Sequence, residues 1–289
     1  MPAVRIGDIN IYYEDHGKGE PLLLIAGWGT DLTCWQFQIP ALSTKYRVIA
    51  FDNRGAGRTD APDEPYSFRM MADDAVGLLD ALGIGKAHIL AMSMGGCIAQ
   101  EIAIEHPERT KSLILAATTA APGACPMLMN TLTAWTVAMR EGVSPKTMAR
   151  MQLPYAFTSP FFDQPQMVAL FVDTMAANPC QPRAYACQRQ TDASAGQDTR
   201  AQLRQIAAPT LVLVGKEDIM LPVRHSEELA AFIPGARLVV LDGGAHGFSI
   251  EIADKFNRAV LEFLGQIAEI PVPVLLCRVA LRGPWHQPP

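Results

Sequence analysis

The chain has 289 residues, of which 49% are hydrophobic and 18% are charged, and its formal net charge is −5. A chain of this length and apolar content can bury a large core, and it is too apolar for an intrinsically disordered protein. No segment carries a basic stripe, so we expect no nucleic-acid partner.

The cysteines and the amino-terminal segment indicate the cellular compartment of the protein and whether it binds a metal or another cofactor. None of the six cysteines forms a CxxC pair or lies at zinc-like spacing from histidines, which predicts reduced, mostly buried thiols, no metal and no other cofactor. Residues 1–17 lack the apolar core of a signal peptide, and no run of 18 uninterrupted apolar residues occurs. These features predict a soluble, cytoplasmic protein with no membrane partner.

Apolar strand-like runs alternate with helical patterns along most of the chain. The predicted strands are residues 9–14, 21–26, 46–51, 87–92, 111–117, 210–215 and 237–241. The predicted helices are residues 68–82, 95–105, 224–232 and 252–264. Because fully apolar strands separated by helices form parallel sheets covered on both faces, the pattern predicts an α/β fold. In such sheets the ligand site lies at the carboxyl ends of the strands.

The alternation stops between residues 118 and 204. This region has seven methionines, several prolines and short helical stretches, which predicts a helical cap inserted between two strands and lying over the active edge. The predicted core is residues 1–117 and 205–266, the cap is 118–204, and the tail is 267–289. The tail contains an apolar run, 272–276, that could pack on a second copy, so both a monomer and a homodimer stay open.

Ser93 is the candidate nucleophile. The segment AMSMGG at residues 91–96 joins a predicted strand to a predicted helix, and it matches the G-x-S-x-G turn with Ala91 in the first position. Small residues are needed there because strand and helix approach closely on both sides of a strained turn. The Met94 N–H, at the helix start, is one predicted oxyanion donor.

His246 is the candidate base among six histidines. It lies in the glycine-rich loop that follows the predicted strand 237–241, at the edge that carries Ser93. The base needs a carboxylate partner, for which Asp218 after the strand 210–215 is favoured. Glu217 and Asp242 are the alternatives. The loop after the strand 21–26 predicts the Trp28 N–H as the second oxyanion donor.

With these residues in place, the chain resembles the α/β-hydrolase superfamily over roughly residues 3 to 266. The order Ser93, Asp218, His246 is the order of that superfamily, and the segment DNRGAGRT at 52–59 resembles its structural turn. The resemblance implies a mostly parallel, eight-stranded sheet flanked by helices, with a helical cap inserted. Within the superfamily, the chain is most similar to bacterial carboxylesterases and 3-oxoadipate enol-lactonase-like serine hydrolases.

Three departures from family patterns narrow the resemblance. Ala26 stands where the family usually has a histidine in the oxyanion loop, which puts in doubt the usual buttressing of that loop. Gly29 stands where haloperoxidase-like members carry proline after the tryptophan. Ser93 disfavours haloalkane dehalogenases, epoxide hydrolases and dienelactone hydrolases, which use aspartate or cysteine nucleophiles.

The cap composition bears on the substrate. Residues 151–182 contain no Lys, Arg or His, and a carboxylate buried there without a cation would cost several kcal/mol. Hydrolysis of a small-molecule ester with a neutral, apolar acyl group is therefore predicted. The predicted binding residues are Met127, Trp135, Tyr155 and Phe157. Further candidates are Met151, Leu153, Phe161, Phe162, Met167, Leu170, Phe171 and Met175.

Other functions stay open on the sequence. A 3-oxoadipate enol-lactonase needs a cation for the substrate carboxylate, and the cap could supply one only from Arg140, Lys146, Arg150 or Arg183. Another lactonase, a C–C hydrolase or a perhydrolase would use the same three catalytic residues. A non-catalytic ligand receptor is the alternative from another class of protein.

Overall fold

The structure is a computed structural model that describes residues 3–269. Its centre is an eight-stranded sheet with the spatial order β1-β2-β4-β3-β5-β6-β7-β8. In chain order the strands are β1 (Ala3–Ile6), β2 (Ile9–His16), β3 (Glu20–Ile25), β4 (Tyr46–Phe51), β5 (Ala87–Met92), β6 (Thr110–Ala116), β7 (Thr210–Gly215) and β8 (Arg237–Leu241). β1 and β2 are antiparallel to their neighbours, and the other six strands are parallel. The predicted eight-stranded, mostly parallel sheet with flanking helices is thereby confirmed.

The order in which successive strands are added to the sheet reverses at β3, because β4 lies on one side of it and β5 on the other. β3 pairs with β4 on one side and with β5 on the other, and Ile25 at its end lies opposite Ala91 of β5. The loops after β3 and β5 therefore leave the sheet side by side, and the crevice between them is a topological switch point, where α/β sheets bind ligands.

Helices cover both faces of the sheet. They are α1 (Ile39–Leu42), α2 (Phe68–Ala81), α3 (Met94–Glu105), α9 (Val223–Phe232), α10 (Phe248–Glu251) and α11 (Ala253–Glu269), with α4 to α8 placed below. Successive β3 residues point to opposite faces, so Leu23 packs in the core with α2, α3 and α9, whereas Leu24 packs in the core with α1 and α11. This two-sided burial explains the continuous apolar strands.

Within the described chain, five α-helices lie between β6 and β7, in the region predicted as a cap. They are α4 (Pro126–Arg140), α5 (Pro145–Ala156), α6 (Ser159–Phe162), α7 (Pro165–Ala177) and α8 (Ala184–Gly196). α5 and α7 share a small core of their own around Leu153, Phe157 and Val172. Elsewhere in the cap, Trp135 of α4 and Cys187 of α8 join the core above the sheet.

The structure adds to the predicted elements at both ends. β1 was not predicted, because it is a four-residue edge strand without a continuous apolar run, and it pairs only with β2. α11 continues to Glu269, past the predicted core end at residue 266. The apolar run 272–276 and most of the predicted tail lie outside the described residues. No helix in residues 3–269 is long and apolar enough to cross a membrane.

Candidate active site

Ser93 occupies a strained turn between β5 and α3. Its φ of 56° and ψ of −123° lie in a region that non-glycine residues rarely adopt. Its N–H donates to the Ala116 carbonyl oxygen of β6 at 2.9 Å, and its own carbonyl oxygen accepts from the Gly96 N–H at 2.9 Å. These hydrogen bonds hold the turn in place and leave the Ser93 hydroxyl free to face the crevice.

Close approach explains the small residues around Ser93. A Cβ at Gly95 would lie 2.3 Å from the Ile25 carbonyl oxygen of β3, and one at Gly96 would lie 2.5 Å from the Thr118 side chain. Ala91 is fully buried. Any larger side chain at Gly95 would push α3 away from the sheet, which is the physical reason for the motif.

The structure brings Ser93, His246 and Asp218 together in one line of hydrogen bonds. His246 Nε2 lies 3.0 Å from Ser93 Oγ, and His246 Nδ1 lies 2.8 Å from Asp218 Oδ2. A carboxylate can only accept, so Nδ1 carries the ring proton and Nε2 of the neutral ring accepts the Ser93 hydroxyl proton. The other carboxylate oxygen, Asp218 Oδ1, accepts the N–H groups of Met220 and Leu221, both at 2.9 Å.

Two opposing effects set the pKa of His246. Burial lowers its pKa, whereas the negative charge of Asp218 and the hydrogen bond to Asp218 raise it. The balance leaves the pKa of His246 above the ordinary value of 6.5. The Asp218 side chain is fully buried, so its charge acts on the imidazole with little screening by water.

The alternative acids lie away from the imidazole. Asp242 is 78% exposed at the side chain and pairs with Lys216 at 2.8 Å. Glu217 is exposed. The structure therefore places Asp218, and neither alternative, against His246.

The other histidines in the described chain have different partners. His16, His88 and His106 lie beside Glu14, Ser112 and Asp73 respectively. His225 is half-buried, and its ring lies 3.7 Å from the Cys125 sulfur. Over residues 3–269, no group of three or more His, Cys, Asp or Glu side chains is arranged to hold a metal ion.

The two predicted oxyanion donors flank Ser93. The loop after β3 lies against the serine, since a Cβ at Gly27 would lie 3.3 Å from Ser93 Cβ. Trp28 follows directly, and Met94 is the first residue of α3. Neither the Trp28 N–H nor the Met94 N–H donates to a protein acceptor within the described residues.

Side chains distant in sequence buttress the loop in the absence of the family histidine. Asn53 Nδ2 donates to the Ala26 carbonyl oxygen at 2.9 Å. Gln190 of α8 is fully buried, accepts the Gly29 N–H at 2.9 Å, and donates to the Arg54 carbonyl oxygen at 3.1 Å. Sequence reasoning missed Asn53 and Gln190, although the polar Gln190 beside the apolar Ala186 and Cys187 is a weak signal of a buried amide.

A second missed set of contacts ties the His246 loop to the cap. The Gly247 N–H donates to the Ala156 carbonyl oxygen at the end of α5, at 2.7 Å. The Glu251 carboxylate accepts the Thr158 N–H at 2.9 Å and the Thr158 hydroxyl at 2.5 Å, and its other oxygen accepts the Ala245 N–H at 3.3 Å. The residues on both sides of His246 are thus bonded to α5 and α10, and α10 is bonded in turn to the segment between α5 and α6.

The predicted binding residues fall into separate groups. The Trp135 ring lies 5.9 Å from the Trp28 ring and 5.4 Å from the Tyr155 ring, measured between centroids. Phe157 instead stacks on Phe161, at 4.0 Å, in the core of the cap. Met127 is 45% exposed on α4. The structure therefore groups Trp135 and Tyr155 with Trp28, and it does not group Phe157 or Met127 with them.

The four cap cations that could hold a substrate carboxylate all lie at the surface. Arg140, Lys146, Arg150 and Arg183 are exposed. Lys146 pairs with Asp173 at 2.7 Å, and Arg140 donates to Gln188 at 2.8 Å.

The site consists of a serine, a histidine and a buried aspartate joined by hydrogen bonds in that order, and it lies at the carboxyl edge of a mostly parallel sheet. This combination is typical of the α/β hydrolases. The family model described as the alpha/beta hydrolase fold matches residues 20–252. The chain belongs to this α/β-hydrolase family, as the resemblance implied, and it is a hydrolase.

Three relatives span nearly the whole chain. A protein of Azorhizobium caulinodans named "Putative carbamate hydrolase RutD" is 33% identical, over 92% of this chain and 99% of its own. 3-Oxoadipate enol-lactonase 2 of Acinetobacter baylyi is 32% identical, over 88% of this chain and 92% of its own. The solved structure of a thermophilic esterase from Thermogutta terrifontis is similar with a TM-score of 0.82 and 29% identity, over 92% of this chain and 99% of that one.

Proposed function

We propose that the protein hydrolyses carboxylic esters with neutral, apolar acyl groups through a covalent acyl-enzyme on Ser93. The observation that carries this proposal is the line of hydrogen bonds from Asp218 through His246 to Ser93, at 2.8 and 3.0 Å. Beside it lie two N–H groups that have no acceptor among residues 3–269. A serine hydroxyl is a poor nucleophile until a base removes its proton, and this geometry supplies the base.

The reaction proceeds in two acyl transfers. Ser93 Oγ attacks the ester carbonyl carbon while His246 Nε2 takes the hydroxyl proton, and the carbonyl oxygen becomes an oxyanion that accepts the Trp28 and Met94 N–H groups. His246 then donates that proton to the departing alkoxide, which leaves as the alcohol. Water enters, gives a proton to His246 and attacks the acyl carbon, and His246 returns the proton to Ser93 Oγ as the acid is released. Asp218 holds the imidazole and stabilises its protonated form.

The charge distribution supports a neutral acyl group. The four cap cations are exposed, and two of them are already engaged with Asp173 or Gln188. Trp28, Trp135 and Tyr155 pack together as an aromatic cluster next to the oxyanion loop. A substrate carboxylate in apolar surroundings without a cation would cost several kcal/mol, so charged substrates are disfavoured.

Lactone hydrolysis is the second candidate, favoured by the 32% identity to a 3-oxoadipate enol-lactonase. A lactone carbonyl undergoes the same attack by Ser93. The two candidate functions differ in substrate charge, because 3-oxoadipate enol-lactone carries a carboxylate and the proposed esters are neutral. The relative with carbamate hydrolase in its name adds a third carbonyl to test, since a carbamate ester also presents an acyl carbon.

The test compares kcat/KM for neutral p-nitrophenyl esters of increasing acyl length, a neutral lactone, a neutral carbamate ester and 3-oxoadipate enol-lactone. The proposal predicts that the best neutral ester exceeds the enol-lactone at least tenfold. The neutral lactone shows whether the enzyme can open a lactone ring at all. If it is hydrolysed well and the enol-lactone is not, the carboxylate charge of the enol-lactone is what the enzyme rejects. A tenfold preference for the enol-lactone would overturn the proposed substrate class.

A further inference from the structure

We propose that Thr30 and Thr118 are positioning residues that orient the two oxyanion-hole N–H groups. Each donates its hydroxyl to the carbonyl oxygen of the peptide unit whose N–H faces the reacting oxygen. The inference rests on the proposed function, because it assigns these two peptides a role in acyl transfer by Ser93.

The physical basis is the planarity of the peptide bond. The carbonyl oxygen of one residue and the N–H of the next belong to the same rigid trans unit and point in opposite directions. No cis peptide bond occurs in residues 3–269. A hydrogen bond that fixes the carbonyl oxygen therefore fixes the direction of the N–H on the other side of the unit.

Thr118 acts on the peptide between Ser93 and Met94. The Thr118 hydroxyl donates to the Ser93 carbonyl oxygen at 2.7 Å, and that oxygen also accepts the Gly96 N–H at 2.9 Å. Thr118 is 1% exposed and lies two residues after the end of β6, so its position is set by the sheet. The two donors hold the strained Ser93 turn with the Met94 N–H directed away from them, toward the crevice.

Thr30 acts on the peptide between Gly27 and Trp28. The Thr30 hydroxyl donates to the Gly27 carbonyl oxygen at 3.1 Å. The neighbouring peptides of the same loop are held separately, by Asn53 at the Ala26 carbonyl oxygen and by Gln190 at the Gly29 N–H. Among the hydrogen bonds that residues 3–269 make to this loop, the Thr30 hydroxyl is thus the one that fixes the peptide carrying the Trp28 N–H.

A hydrogen bond to a carbonyl oxygen also polarises its amide, which makes the N–H a stronger donor. Both effects favour the transition state, in which the oxygen is charged, over the bound ester. Interactions that strengthen in the transition state raise kcat and leave KM unchanged. Loss of either hydroxyl should therefore lower kcat, by less than the 10²–10³-fold that follows removal of a whole oxyanion donor.

The experiment measures kcat and KM separately for Thr30→Val and Thr118→Val, which replace the hydroxyl by a methyl group of similar size, and for Thr30→Ser and Thr118→Ser, which keep it. The expected result is a fall in kcat of about 5- to 30-fold for each valine variant, with KM unchanged within about twofold and recovery in the serine variants.

The chain offers matched controls. The Thr210 hydroxyl donates to the Ala208 carbonyl oxygen at 2.8 Å, is buried like Thr118, and lies at the start of β7, on the opposite edge of the sheet. The Thr44 hydroxyl donates to the carbonyl oxygen three residues earlier, Ala41, as Thr30 does to Gly27. Thr210→Val and Thr44→Val should leave kcat unchanged. If they lower it as much as the test variants, the effect is general and the proposal is overturned.

Inhibition by phenylboronic acid gives a second measurement, because its tetrahedral adduct with a serine places a charged oxygen where the oxyanion forms. Its inhibition constant should rise in parallel with the loss of kcat in the valine variants. The positioning role would be overturned if the valine variants kept the wild-type inhibition constant or the wild-type kcat, or if they changed KM alone. It would also be overturned if the serine variants did not recover activity. Thr30 is only half-buried, so Thr30→Val should fold even if Thr118→Val does not. The positioning role can then be tested at Thr30 alone.

Ser93→Ala, measured beside these variants, separates the two proposals. If it keeps activity, the proposed function fails. If it is inactive while both valine variants are fully active, only the positioning role fails.

Discussion

The two regions that meet at the site, the sheet edge and the cap, are built in different ways. At the sheet edge, Ser93 and Asp218 follow buried strands, and backbone hydrogen bonds hold both residues. In the cap, α6 and α7 carry large apolar side chains that stay partly open to solvent, such as Phe162, Met167 and Leu170. The sheet edge thus holds its polar groups through hydrogen bonds, whereas α6 and α7 expose apolar side chains.

Several of the contacts that join the two regions fall on the loops that carry the proposed oxyanion donor Trp28 and the proposed base His246. Gln190 joins α8 to the oxyanion loop, and Glu251 and Ala156 join the cap to the His246 loop. We infer that changes at the sheet edge abolish the reaction, changes at the junction reduce it, and changes on the outer cap leave it intact.

The largest effect is expected from Ser93→Ala. The variant should fold normally and lose about 10⁴–10⁶-fold in kcat, because the reaction loses its nucleophile. Steady-state kinetics on the best neutral ester, with circular dichroism as the folding control, checks this. Activity within tenfold of the wild type would contradict the proposed role of Ser93.

The second largest effect is expected at Asp218, and it distinguishes Asp218 from Asp242 as the acid that pairs with His246. Asp218→Asn should lower kcat by about 10⁴-fold, because the amide no longer holds the imidazole in the required tautomer. Asp242→Asn is the matched control, since Asp242 is exposed and paired with Lys216, and it should stay within twofold of the wild type. If Asp242→Asn is the more damaging change, Asp218 is the wrong acid.

The junction is tested at Glu251. Glu251→Ala removes the acceptor of Thr158 and of the Ala245 N–H and should lower kcat about tenfold, because hydrogen bonds to charged groups contribute about 1.5–3 kcal/mol. The exposed Asp254, on the neighbouring α11, provides the control Asp254→Asn. Equal activity of the two variants would show that the cap and the His246 loop are not coupled.

The pH dependence follows from the raised pKa of His246. The base must be neutral, and a raised pKa keeps it protonated to higher pH, so kcat/KM should fall on acidification through a pKa above 6.5. Asp52 is a second group in this range, because burial raises its pKa to about 6, against the opposing effect of the Arg58 and Leu32 N–H groups. Asp52→Asn should leave the acid limb in place. A flat profile from about pH 5 to 8 would be incompatible with a histidine base.

The smallest effect is expected on the outer cap. Arg150→Ala removes an exposed cation and should change kcat/KM for 3-oxoadipate enol-lactone by less than twofold, since the side chain lies at the surface. The same measurement with a neutral ester is the control. A selective tenfold loss for the enol-lactone would identify Arg150 as a carboxylate partner and would contradict the apolar account of the cap.

The sequence predicts the parts of this molecule that depend on local pattern. The strands of the parallel sheet are continuous apolar runs, and the Ser93 turn needs small neighbours within a few residues, so both can be recognised along the chain. The same holds for the approximate limits of α2, α3, α9 and α11.

The remaining parts depend on contacts between distant residues. Gln190 reaches the Gly29 N–H across 161 positions, and Glu251 reaches Thr158 across 93. Gln190 has only a weak local signature, and Glu251 has none. The sequence already favours Asp218 over Asp242, although both residues follow strands that end at the same edge, and the structure places Asp218 against the imidazole and Asp242 against Lys216.

Labelling with a fluorophosphonate, followed by intact mass and peptide mapping, tests the central claim most directly. The account predicts one equivalent of label per chain, on Ser93, with much slower labelling of His246→Ala and no labelling of Ser93→Ala. Label on another residue, or equal labelling of Ser93→Ala and the wild type, would contradict the assignment of Ser93 as the nucleophile.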